Sequence, residues 1–374
     1  MELYHATTDA EKILCMKADL THTPIGGTME LLPLCNMDCK MCYVRKSKAE
    51  MEAEGRMLSC DEWLRIADEA VEAGTLFLLL TGGEPLMYPE FRRLYAELSR
   101  KGLILSVNTN GTLIDEEWAD FFAEHGCRRM NITLYGKNDE TYAKLCGNPH
   151  GFTQVMRAAK LLKERNVSFR LTCSVTPQNV DDLPELYAIA RELNVPLQAA
   201  CYMFPGERRG IDAERQYRMA PEEAGACVMR CFQYANPGAN AEIASRMTLA
   251  KTRQPGKLAT AHGFNCRAGH SGFWMNWKGE LLPCGMFSDP KISLLDHSFR
   301  ACWDYVVQQT KDIPLCAKCK ECDLQNICQV CPAACYTETG STDGWPEYVC
   351  RMTHELVRQM RATIPGPEGD DPNG

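Results

Sequence analysis

A chain of 374 residues with 41 basic and 49 acidic side chains carries a net charge of −8, which excludes a general electrostatic attraction for nucleic acid or anionic membranes. The length exceeds one average domain and leaves room for a catalytic barrel with a smaller appendage. No stretch approaches the roughly 20 apolar residues of a membrane span, and the opening Met1-Glu2-Leu3-Tyr4-His5 has neither a basic start nor an apolar signal core. The 21 cysteines therefore read as those of a protein in the reducing cytoplasm, not as a secreted disulfide scaffold.

In chain order, a lead-in over residues 1–25 gives way to six strand-helix units between 26 and 205. Short apolar runs predict strands at Thr28 to Pro33, Leu76 to Leu80, Ile104 to Asn108, Met130 to Leu134, Ser168 to Thr172 and Pro196 to Ala200. Between them, 3.6-residue periodicity predicts helices at Cys60 to Ala73 after a Ser59 cap, Pro89 to Arg100, Asp115 to His125, Phe152 to Arg165 and Leu183 to Leu193. The alternation predicts an α/β fold around a parallel sheet, a partial (β/α)6 barrel whose chemistry gathers at the C-terminal strand ends. Regularity breaks at Pro205. Residues 206–260 read as a bridge, 261–355 as a cysteine-rich unit, and 356–374 as a helix end with an acidic, disordered tail.

The cysteines divide into three sets: a trio at Cys35, Cys39 and Cys42, nine from Cys266 to Cys350, and nine scattered ones read mostly as small buried hydrophobes. The trio has the spacing C-x3-C-x2-C directly after the first strand. Three thiolates hold three corners of a four-iron cube and leave one iron for a non-protein ligand, whereas structural zinc wants four protein ligands. The second strand runs into Thr81-Gly82-Gly83-Glu84-Pro85, where two glycines permit close backbone approach and a carboxylate stands at the strand end.

Together the trio and the Gly-Gly-Glu-Pro turn resemble the radical S-adenosylmethionine (SAM) superfamily. The resemblance implies that Cys35, Cys39 and Cys42 bind a [4Fe-4S] cluster, that Gly82, Gly83 and Glu84 receive the SAM amino group, and that a 5'-deoxyadenosyl radical abstracts a substrate hydrogen. Met41 stands where the family usually has an aromatic residue, and Tyr43 is the expected substitute over the adenine. Asn108, Thr133 and Arg170, with Tyr135 and Thr172 near them, are expected beside the SAM ribose or carboxylate.

The later array runs Cys266, Cys284, Cys319-x2-Cys322-x5-Cys328-x2-Cys331-x3-Cys335 and Cys350; its CxxC steps suit metal or cluster ligation. It resembles the SPASM extension, which binds two auxiliary [4Fe-4S] clusters. That implies one cluster on Cys319, Cys322, Cys328 and Cys350, and another on Cys266 and Cys284 with Cys331, Cys335 or both. Cys316 is read as a bystander.

The two-part layout resembles peptide and protein maturases. The favoured reading is oxidative crosslinking of a ribosomally made peptide, a cysteine thioether above all. A dehydrogenase, an epimerase and a sulfatase-maturing (formylglycine-forming) enzyme are alternatives, the last weakened by Gly285 where that branch has an aspartate after the cysteine matched by Cys284. A non-enzymatic zinc-binding interaction protein is the reading from another class. Only 34 residues precede Cys35, so a leader peptide is expected to dock directly or through a separate leader-binding protein, and electrons to come from a flavodoxin- or ferredoxin-type donor. The mixed-charge segment from Arg208-Arg209 to Arg215-Arg218 reads as a solvated face. Glu207, His270 and Asp289 are weak acid-base candidates, and no catalytic residue is assigned.

Overall fold

The computed structural model describes residues 8–205, 217–238, 263–264, 266–325, 327–328 and 330–363. Three early helices each begin on a Ser/Thr-x-x-Glu box, in which the cap hydroxyl and the glutamate satisfy each other's backbone amides. They are α1 (Asp9–Thr21, Thr8 with Glu11), α2 (Lys48–Glu54, Ser47 with Glu50) and α3 (Cys60–Glu72, Ser59 with Glu62).

Six parallel strands follow the order of the sequence: β1 (Gly26–Glu30), β2 (Phe77–Thr81), β3 (Ile104–Thr109), β4 (Arg129–Thr133), β5 (Phe169–Ser174) and β6 (Leu197–Ala200). Helices α4 (Phe91–Arg100), α5 (Glu116–His125), α6 (Asp139–Cys146), α7 (Gly151–Glu164) and α8 (Leu183–Leu193) connect them. The strand faces alternate as the pleat requires. Leu105, Val107, Met130, Ile132, Leu171 and Cys173 are buried in the main apolar core. Ser106, Asn108, Asn131, Thr133, Arg170 and Ser174 instead line internal cavities. An apolar outer face and a polar inner one mark a barrel that receives a ligand.

The sheet does not stop at the six expected strands. β7 (Gly272–Met275) pairs in parallel with β1, Gly26 opposite Gly272, and β8 (Glu280–Leu282) and β9 (Ile292–Ser293) extend it antiparallel, giving the order β6-β5-β4-β3-β2-β1-β7-β8-β9. The cysteine-rich region is thereby built onto the barrel's first strand. Its helices are α10 (Phe299–Thr310), α11 (Ala317–Lys320), α12 (Pro332–Thr339) and α13 (Glu347–Ala362), and the last packs on α9 (Pro221–Ala235), also called αB. Glu222 on αB and Arg351 on α13 form a bidentate ion pair at 2.7 and 3.0 Å. No helix among the described residues is long and apolar enough to cross a membrane.

Of the mixed-charge segment, Arg218 is described, and it departs from the solvated reading: it is buried, ion-paired to Glu338, with its guanidinium 3.4 Å from the Tyr348 ring centroid. Glu207, Arg208, Arg209 and Arg215 lie outside the described residues, as do most of the bridge and the acidic tail.

Candidate active site

The cysteine trio occupies the loop after β1, at the C-terminal end of the sheet. Backbone amides point at its sulfurs: the Met37 N–H donates to Cys35 Sγ at 3.4 Å and the Arg45 N–H to Cys42 Sγ at 3.3 Å. The loop is tied down on two sides. Asp38 and Lys40 donate their amides to the carbonyls of Cys146 and Leu145 at the end of α6, each at 2.9 Å. Asn36 donates to Thr112 Oγ1 at 2.8 Å, and Asn110 Nδ2 lies 2.8 Å from Asn36 Oδ1 and 3.6 Å from Cys35 Sγ.

The turn after β2 packs directly on this loop. Gly83 N–H donates to Leu32 O at 2.7 Å and Glu84 N–H to Leu34 O at 2.9 Å. A Cβ on Gly83 would stand 2.2 Å from the Leu34 carbonyl oxygen, so only glycine permits this approach. Glu84 is fully buried. Its carboxylate accepts from Thr109 Oγ1 (2.8 Å), Asn110 N (2.8 Å) and Leu86 N (3.1 Å). Burial raises its pKa to about 7, against the pull of those three donors. The carboxylate thus fastens the β2 turn to the β3 end, and the turn presents Gly82 and Gly83 to the space above.

That space is a cavity of about 400 Å³ lined by Cys35, Cys39, Cys42, Tyr43, Gly82, Gly83, Asn108, Thr133 and Tyr135 among others. Most of the residues expected around SAM therefore meet here. Arg170 does not join them. Its Nε donates to Asn131 Oδ1 at 2.6 Å, and Asn131 in turn donates to Asn108 at 2.5 Å. Arg170 lines a second cavity of about 530 Å³ beside the N-terminal halves of β1 and β2, with Arg128, Arg129 and Arg267. His270 stacks on His22 at 6.0 Å and Asp289 is exposed; neither lines the first cavity.

The opposite wall of the first cavity was not foreseen. Tyr202, Met203 and Phe204, after β6, and Met286, two residues beyond Cys284, complete it. The Met286 N–H donates to Cys284 Sγ at 3.4 Å, and the Tyr202 hydroxyl donates to Glu338 on α12 at 2.8 Å. The barrel cavity and the cysteine-rich region thus share a wall.

Within that region the sulfurs form two sets. Cys319, Cys322, Cys328 and Cys350 line one small apolar cavity of about 30 Å³. The Leu324 N–H donates to Cys322 at 3.4 Å and the Thr353 hydroxyl to Cys328 at 3.3 Å. In the other set, Cys331 lies in the electrostatic reach of Cys266 and Cys284. Ala268 N–H donates to Cys266 Sγ at 3.5 Å and Ala334 N–H to Cys331 Sγ at 3.4 Å. Cys335, one turn into α12, is fully buried beside Cys316, whose amide bonds its sulfur. Of Cys331 and Cys335, which spacing offered singly or together, Cys331 is the one in the electrostatic reach of Cys266 and Cys284.

The donor sets fit iron-sulfur clusters. Thiol burial pushes Cys35 up to about 12, with the nearby Glu84 charge adding to it, and Cys331 up to about 11; a cationic centre reverses that balance and ionises a coordinating thiol. Amide donors aimed at the sulfurs are the interactions that tune such centres. Gly285 is also explained: a Cβ there would stand 2.8 Å from the Trp274 ring, and Trp274 Nε1 donates to the buried Glu30 at 3.1 Å. An aspartate at this position requires Trp274 to move.

A parallel partial barrel with three cysteines after its first strand and Gly-Gly-Glu-Pro after its second is the layout of a radical SAM domain. Residues 29–190 match the family model described as the radical SAM superfamily, which makes this part of the chain a radical SAM domain. The AdoMet-dependent heme synthase of Methanosarcina barkeri is 24% identical over 339 residues, covering 86% of this chain and 95% of that protein. The PqqA peptide cyclase of Ruegeria pomeroyi is 26% identical over 365 residues, covering 92% and 93%. In fold, the crystal structure of Streptococcus suis SuiB bound to S-adenosylmethionine matches with a TM-score of 0.66 at 17% identity, covering 92% of this chain and 81% of that one.

Proposed function

We propose that this enzyme is a radical SAM peptide maturase with a SPASM-type auxiliary unit, catalysing an oxidative crosslink, a cysteine thioether in the favoured case, in a ribosomally made peptide. Cys35, Cys39 and Cys42 would hold the SAM-binding [4Fe-4S] cluster. Cys319, Cys322, Cys328 and Cys350 would hold one auxiliary cluster, and Cys266, Cys284 and Cys331 another with one ligand position left to a non-protein donor. When bound, SAM and the clusters supply the 5'-deoxyadenosyl radical that takes the substrate hydrogen atom and an acceptor for the second electron, so that a C–H and an S–H become a C–S bond with loss of one proton.

The protein's own residues bind and exclude water. Gly82 and Gly83 offer backbone at close range, Tyr43, Asn108 and Thr133 line the SAM side of the cavity, and Glu84 holds the turn in place. Arg170, two hydrogen bonds from the cavity through Asn131 and Asn108, shapes the barrel interior. The observation that carries the reading is the shared wall: Met286 lines the cavity and bonds Cys284, so a substrate held there lies between the two donor sets. The domain limits proposed are 26–205 for the barrel, 206–260 for the bridge and 261–355 for the auxiliary unit; a flavodoxin- or ferredoxin-type donor, a separate leader-binding protein and a cytoplasmic location complete the proposal.

A second reading takes a tetrapyrrole as substrate. It is favoured by the coverage of the heme synthase relative and by the 530 Å³ cavity with Arg128, Arg129, Arg170 and Arg267, side chains suited to carboxylates. Co-expression with candidate precursor peptides, followed by mass measurement, tests the choice. Loss of two hydrogens from a peptide supports crosslinking, and an unchanged mass with altered stereochemistry indicates epimerisation. Unmodified peptides together with a saturable shift of the Soret band on adding a porphyrin favour the second reading.

A further inference from the structure

Cys201 directly follows β6, while Cys227 and Cys231 stand one turn apart on αB, a spacing that puts both side chains on one helix face. In the folded chain the three are buried and their sulfurs all lie within 4.8 Å of one another, Cys201 and Cys231 at 3.9 Å. Among the described residues this is the one group of three or more potential ligand atoms that closes to such a distance.

Distance decides what the group suits. Sulfurs on a tetrahedral zinc with bonds of about 2.3 Å sit about 3.8 Å apart, close to the Cys201–Cys231 separation, whereas cluster ligands attach to different irons and spread wider. A disulfide would use two of the three sulfurs and leave a buried thiol beside it. We infer that Cys201, Cys227 and Cys231 form a binding site for a single thiophilic divalent cation, zinc being the physiological example, separate from the cluster sites.

The Cys227 sulfur accepts from the Cys201 and Cys231 thiols, and the Arg230 guanidinium adds a further donor and a positive charge beside it. The Tyr187 hydroxyl bonds to Cys231. Cys173, buried on β5 in the electrostatic reach of Cys231 and Cys227, lies outside the group of three, so a fourth ligand would come from elsewhere. A cation here would fasten the end of β6 to αB. Tyr202, Met203 and Phe204 leave that junction to form the cavity wall, so the site would fix the wall against which substrate rests.

The test uses iron-loaded protein purified anaerobically without chelators, with iron and zinc measured by plasma mass spectrometry. The expected result is about one zinc per wild-type chain, lost in Cys227→Ser/Cys231→Ser with iron unchanged, and retained in Cys302→Ser, a buried cysteine elsewhere. In the wild type, Cys201, Cys227 and Cys231 should become open to alkylation only after a zinc chelator is added, a readout that stands even if the double variant misfolds. Zinc-free wild type with the three recovered as free thiols, a Cys201–Cys231 disulfide, or zinc retained in the double variant would each overturn the inference.

Discussion

The barrel and the cysteine-rich region are held together by different physics. The barrel strands and helices share one continuous apolar core that includes Trp63, Tyr95, Phe122, Phe169 and many aliphatic side chains. Around the later cysteines the apolar clusters are small: one of five buried residues, two of them cysteines, and one of four. The stretch from Gly272 to Thr310 joins the barrel core through Phe273, Met275, Phe299 and Trp303. The part beyond α10 has so little apolar burial that bound metal is the expected source of its order, as in small metallo-domains.

That contrast can be broken at several points. The largest effect is expected from replacing Cys35, Cys39 and Cys42 together by Ala: SAM cleavage, read as 5'-deoxyadenosine by chromatography, falls to background, while the far-ultraviolet circular dichroism of the barrel is unchanged because the trio sits on a loop. Cys322→Ser/Cys350→Ser should remove about four irons per chain and expose sites beyond residue 310 to limited proteolysis, with fragments from the barrel staying resistant. Equal resistance of the two regions would show that the later cysteines do not order their surroundings.

Gly285→Asp sharpens the comparison at the seam. The Trp274 contact should cost about 1–3 kcal/mol in denaturant unfolding, the usual range for overpacking, and should not create formylglycine-forming activity. A pH-dependent effect concerns Glu84, whose carboxyl sits at about 7 in the folded protein against an ordinary 4.5. Between those values the folded state keeps a proton that the unfolded state has released, so this group's contribution to stability falls as pH rises through the window, by at most about 3 kcal/mol. Glu84→Gln should flatten that slope in urea midpoints measured on cluster-free protein from about pH 4.5 to 8.

Much of the barrel was legible because its signals are local. Apolar runs such as Leu76 to Leu80 and capped helices such as that after Ser59 depend on neighbours in sequence, and β2 and α3 begin and end close to the expected limits, whereas β1 ends at Glu30, short of the expected Pro33, and α1, α2 and α6 were not expected. β7 was not legible: Gly272–Met275 is four residues long, and its strand character comes from pairing with Gly26 to Met29 far back in the chain. The choice between Cys331 and Cys335 had the same origin, since spacing cannot say that one caps α12 while the other lies one turn inside it. Cys201 lay apart from Cys227 and Cys231 in sequence, so three residues read singly as small hydrophobes concealed a cluster. The i,i+4 pair on αB was the available clue. Glu84 shows the converse. Its position was legible, but its three hydrogen bonds to the β3 end and its own turn depend on two strands meeting.

The central claim, three cluster sites divided between an apolar barrel and a metal-ordered appendage, meets its most direct test in iron and acid-labile sulfide analysis of anaerobically purified protein, wild type beside the Cys35/Cys39/Cys42→Ala variant. The account expects about twelve irons and twelve sulfides per wild-type chain and about eight of each in the variant. About four irons in the wild type, with zinc on the cysteines from Cys266 to Cys350, would contradict it.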